Sequence, residues 1–212
     1  MDDLAFDEAL VGAAMTVAGE RGWRAVNIVA AARAAELPMD RARQKFPTRQ
    51  HVLLALGRWA DRAALAEPSP EGSERDQLFD LLMRRIDVFQ AHRRGVLALL
   101  RALPAEPATA ALLACATRCS MGWMLNAAGI ESSGLRGALR VRGLCAIWLW
   151  TMRAWQTDSS ADLSATMAAL DTALTRAAPA ANWLNSAPAP ASPLDTPPVV
   201  VVSKDGAQGE NP

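Results

Sequence analysis

Residues 22–54 read GWRAVNIVAAARAAELPMDRARQKFPTRQHVLL, and the order of breakers and small residues in this run decides the fold. Gly22 ends whatever helix precedes it, because a residue without Cβ takes the conformations that close helices. The spacing then predicts two short helices. One covers about Val26 to Ala35. The other starts near Met39, since Pro38 is tolerated only at a helix start, and stops before Pro47. Ala30, Ala31, Ala32, Ala34 and Ala35 give the first a small face, and Glu36-Leu37-Pro38 form the turn. Two short helices joined this tightly are what a helix-turn-helix needs.

Outward from this run the pattern stays helical. Asp3 is expected to cap a first helix carrying Phe6, Leu10, Ala13, Ala14 and Val17 at helical spacing. Thr48 is expected to cap a longer one carrying Val52, Leu53, Leu56, Trp59 and Ala60 up to the breaker loop Pro68–Gly72. Ser73 opens the next, with Leu78, Leu81, Leu82, Ile86 and Phe89 on one face, and a short helix runs from about Arg93 to Leu103. Pro104 and Pro107 reset the chain. Long helices follow over about Ala108–Ala128 and Gly134–Thr157, and a last one starts after Ser160 and ends before Pro179. The expected class is all-α with about nine helices: a three-helix helix-turn-helix head (residues 1–47), a helical-bundle body (48–178) and a disordered tail (179–212) rich in Ala, Pro, Ser, Asn and Gly. Val199–Val202 is prone to extended structure but has no partner strand.

Composition narrows the function. The 212 residues are 51% hydrophobic, enough for a sizeable core, and 22 basic side chains balance 22 acidic ones, so any electrostatic partner must be read by a local patch. Such a patch stands between Arg21 and Arg58, where eight cations face two anions, Glu36 and Asp40. That excess suits binding to a phosphate backbone by counterion release; a solvated Arg-rich helix face is the plainer reading. Three cysteines in apolar helical surroundings argue against a disulfide framework and for buried structural thiols in a reducing cytoplasm. No signal peptide is expected, and the apolar run Leu144–Met152 is far short of the roughly 20 residues a spanning helix needs, so no stable membrane insertion is expected either. His51 and His92 lack a nucleophile's neighbourhood, Cys115 and Cys119 lack further ligands for a metal, and the glycines form no phosphate loop. The reading is of a protein that is not an enzyme and carries neither metal nor cofactor.

The body carries two apolar groupings. Leu163, Met167, Leu170 and Leu174 make a stripe on the last helix, and the helix before it presents Leu144, Trp148 and Trp155 among others. Such a pair is either core or the surface that joins two copies. Phe89, Met121, Trp123, Met124 and Trp148 fit a body pocket or ordinary packing.

Gly22-Trp23, Val26-Asn27-Ile28, Ala32, Ala35, Leu37, Phe46-Pro47 and Leu53-Leu54 resemble, without a gap, the head signature of the TetR family of transcriptional regulators, over about a quarter of the chain. Glu36, Pro38 and Arg43 stand where that family usually has Gly, Ser and Tyr. The resemblance implies a repressor released by a hydrophobic small molecule. Double-stranded DNA would be held at its phosphates by Asn27, Arg43, Lys45 and Arg49, with Met39, Arg41 and Gln44 nearest the bases. It also implies a homodimer joined by the last two helices through Leu144, Trp148, Trp155, Leu163, Met167, Leu170 and Leu174. A second resemblance lies in Ala102-Leu103-Pro104, Gly122-Trp123 with Ala128-Gly129, and Trp155-Gln156-Thr157-Asp158-Ser159. These are similar to the TetR-fold lipid-binding proteins of ubiquinone biosynthesis, which implies an alternative role as a lipid-binding accessory protein that does not bind DNA.

Overall fold

The computed structural model describes residues 1–67 and 72–186. Among them are nine α-helices and two short 3-10 turns, with no strand. The helices are α1 (Asp3–Arg21), α2 (Ile28–Ala34), α3 (Met39–Lys45), α4 (Arg49–Leu65), α5 (Glu74–Ala91), α6 (Arg93–Ala102), α7 (Pro107–Ala127), α8 (Gly134–Thr157) and α9 (Ser164–Ser186), the turns being Trp23–Ala25 and Leu103–Ala105.

Local chemistry places most of the boundaries. Asp2, not Asp3, caps α1, its side chain accepting from Ala5 N at 2.7 Å, and Gly22 closes the helix at φ +85°. Asn27 caps α2 by accepting from Val29 N. At the other end of α2 the Leu37 N–H returns to the Ala32 carbonyl at 2.8 Å, leaving Glu36 at φ +54°. This is a six-to-one closure whose left-handed residue is normally glycine; a side chain there costs about 1 kcal/mol. The turn is thus the geometry a helix-turn-helix requires, made with a disfavoured residue. Thr48 stands at the α4 N-terminus but its hydroxyl pairs with His51 Nδ1 at 3.0 Å instead of capping the backbone.

The buried side chains form one continuous cluster from Phe6 to Leu174, so head and body share a core. α4 leaves the head and packs on α5 and α7, while α1 lies along α6 and α8 pairs with α9. The α1–α6 crossing is close because Gly95 has no side chain: a Cβ there would lie 2.3 Å from the Met15 carbonyl oxygen. The corner between α8 and α9 is held by Asp158. Its carboxylate accepts from Ser160 and from the backbone and hydroxyl of Thr166, and these bonds, that of the Ser160 hydroxyl first, hold it well below the usual carboxylate range.

The last boundary departs furthest from expectation. α9 does not end before Pro179 but passes through it to Ser186. An interior proline removes one N–H and crowds the carbonyl four residues back, yet Pro179 is exposed, where water can serve the freed carbonyl. The rest of the expected tail, residues 187–212 with Val199–Val202, lies outside the described residues. No helix among the described residues is long and apolar enough to cross a membrane.

Candidate nucleic-acid interface

α3 is seated by its inner side. Ala42 and Phe46 are buried, and Leu37 anchors the turn before it. Helical spacing then puts Met39, Asp40, Arg43 and Gln44 on the opposite side, and all four are exposed. Asn27 and Arg33 are exposed on α2. Four of the seven residues expected at DNA, Asn27, Met39, Arg43 and Gln44, therefore face solvent.

Arg41, Lys45 and Arg49 are held instead by carboxylates. Arg41 Nη2 lies 2.5 Å from Asp3 Oδ1, and its guanidinium stacks 4.4 Å from the centre of the Phe6 ring. Lys45 Nζ reaches Asp3 at 3.1 Å and Asp7 at 2.6 Å. The Arg41 hydrogen bond, then that of Lys45, lowers the Asp3 carboxyl, while Asp7 and Asp3 raise Lys45 against a desolvation that acts in the opposite sense. Arg49 binds Glu106 Oε1 at 3.0 Å and the Arg24 carbonyl at 3.3 Å, and Glu106 also accepts from Thr109 and lies 3.6 Å from Arg24 Nε. The basic patch shrinks accordingly. Once α1 is counted, residues 1–47 carry six cations and seven anions. Asp3 and Asp7 were the missed residues; their signal is a spacing of four on α1, one face of a helix.

The body residues separate in the same way. Met121 and Met124 are wholly buried and Trp148 nearly so, its ring meeting the half-buried Phe89 edge-on at 6.0 Å. Trp123 turns outward and is 67% exposed, so it does not join them. Beneath the two rings lies Arg85, its guanidinium 5.7 Å from the Phe89 ring centre and 5.2 Å from that of Trp148. It is ion-paired with Asp61, which also accepts from the Ser120 hydroxyl at 2.7 Å. Burial pushes the Arg85 pKa down to about 10, which keeps it cationic at neutral pH.

Leu144, Trp148, Trp155, Leu163, Leu170 and Leu174 are buried inside a single chain, and Met167 is half-buried. The stripe expected to join two copies is thus the packing between α8 and its neighbours. Outward on α8 stand Leu139, Gly143, Ala146, Leu149 and Trp150. Cys115 and Cys119, expected as buried thiols, are exposed on α7, and Cys145 is half-buried. Helix periodicity finds an apolar stripe but not which of two apolar stripes faces inward.

No protein-family model and no curated relative matches the chain. Among solved structures it is similar to a TetR transcriptional regulator from Nitrosomonas europaea, with a TM-score of 0.67 and 21% identity over 82% of this chain and 98% of that one. It is also similar to a TetR transcriptional regulator from a Rhodococcus species, at a TM-score of 0.52 and 20% identity over 82% of this chain and 97% of that one. Head, turn and body follow those proteins nearly from end to end, and the chain has the TetR fold.

Proposed function

We propose that the chain is a DNA-binding transcriptional regulator that acts as a homodimer. The observation that carries this reading is the outer side of α3, where Met39, Arg43 and Gln44 stand exposed on a helix whose inner side is locked by Ala42 and Phe46. Arg43 and Asn27 would hold phosphates, and Met39 and Gln44 would meet base edges. Both similar structures are described as transcriptional regulators, which supports the same reading. The two copies would meet through the sides of α8 and α9 left exposed: Leu149 and Trp150, 63% and 54% exposed, with Gly143, Ala146, Ala165 and Ala168 allowing close approach. The effector we propose is a hydrophobic small molecule that enters beside Phe89 and Trp148 and loosens α4 through Arg85 and Asp61.

A second reading, a lipid-binding accessory protein that has no DNA target, draws on the engagement of Arg41 and Lys45 by carboxylates. Anisotropy of labelled genomic fragments between about 50 and 200 mM salt separates the two. The regulator binds with affinity falling steeply as salt rises, and Arg43→Ala makes the log–log slope shallower by about one. Absence of binding at low salt, with lipid copurifying, selects the accessory protein.

A further inference from the structure

Head and body also meet across an open cleft of about 520 Å³. Arg21, Trp23 and Arg24, at the end of α1 and the turn after it, form one wall, and Arg101 of α6 stands on the other, with Gly19 and Ala98 among the small residues between them. The three guanidinium groups are exposed and no carboxylate lines the cleft. Glu106 lies beside it, but its charge is shared between Arg24 and Arg49. Among the described residues neither Arg21 nor Arg101 has an ion pair. Trp23, 1% exposed, packs behind the arginines as part of the cleft wall.

We propose that this cleft binds a small phosphorylated molecule, its phosphoryl oxygens held by Arg21, Arg24 and Arg101. Planar guanidinium groups pair bidentately with phosphoryl oxygens, and three of them call for more than the single charge of a carboxylate. The volume is that of a small-ligand site. The cleft belongs to a different part of the head from the face of α3. Arg41 and Lys45 sit at the start of α1, on Asp3, whereas Arg21 ends the same helix, about 27 Å away at 1.5 Å per residue. Because its walls come from both head and body, an occupant would tie the two together at the α1–α6 joint.

Calorimetric titration of the full chain with inorganic pyrophosphate at fixed ionic strength tests this, and because no DNA is present its outcome is independent of the regulator reading. One pyrophosphate per chain is expected. Arg21→Gln and Arg101→Gln should each weaken binding by about tenfold, as loss of a charge-assisted hydrogen bond does, and Arg118→Gln on α7 should leave it unchanged. No heat, or an equal loss in Arg118→Gln, overturns the proposal. A second arm uses phosphatidylcholine vesicles containing phosphatidic acid. Sedimentation with those vesicles that is lost in Arg101→Gln identifies the phosphoryl group as a lipid headgroup, and pyrophosphate binding without sedimentation identifies a free ligand.

Discussion

Arg85 with Asp61 in the body and Arg41 with Asp3 in the head are the same two groups in opposite surroundings. The Arg85 side chain is 4% exposed and sits under the rings of Phe89 and Trp148; the Asp3 side chain is 80% exposed at the start of the chain. In the body, water cannot replace a lost partner, so the pair is a structural commitment that ties α4 to α5 and, through Ser120, to α7. In the head, water and salt compete with the pair at every moment, so it is held weakly, and under the proposed function a phosphate would compete for its guanidinium. The same chemistry holds the fold together in one place and sets how much positive charge is free to meet a partner in the other.

Three substitutions would break or sharpen this contrast. The largest effect is expected from Asp61→Ala, which strands the buried Arg85 charge. Urea unfolding should show a loss of about 3 kcal/mol, and a loss below about 1 kcal/mol would mean that water reaches the guanidinium and the two pairs are alike. Next comes Gly95→Ala at the joint between the regions. The added carbon meets the Met15 backbone, and a destabilisation of about 1–3 kcal/mol is expected from such overpacking; no change in the denaturation midpoint would show that head and body are only loosely joined. The smallest is Asp3→Asn. It should leave the melting temperature where it is and, at low salt, raise DNA affinity by less than about threefold while steepening the salt slope by up to one as Arg41 is released, Lys45 staying on Asp7. A fall in stability instead would make that pair a structural element like the one in the body.

Much of the fold was legible in the residues. Gly22, Pro38, Pro47, Ser73, Pro107 and Gly129 mark where helices begin or end, because a missing Cβ, a missing N–H or, at Ser73, a capping hydroxyl acts locally and needs no knowledge of the rest of the chain. Pro179 is the exception among them, since a proline on an exposed turn leaves its freed carbonyl to water and the helix continues. The candidate site was legible in part. Arg43 and Gln44 follow from their position on α3, and Glu36 marks the turn; that Arg41 and Lys45 meet Asp3 and Asp7, about forty residues earlier, does not follow from any local pattern.

By itself the amino-acid sequence determined that the chain is helical, where most helices start and stop, and that a short helix, a tight turn and a second short helix stand near its beginning, because capping, breaking and periodicity are properties of neighbours along the chain. Only the tertiary structure decided which apolar stripe of α8 is core and which faces outward, which cations of the head are engaged, and that Trp23 and three arginines share a cleft. Those outcomes depend on which helix lies against which, and electrostatic pairing and burial are settled by distance in space, where residues 3 and 41 are neighbours.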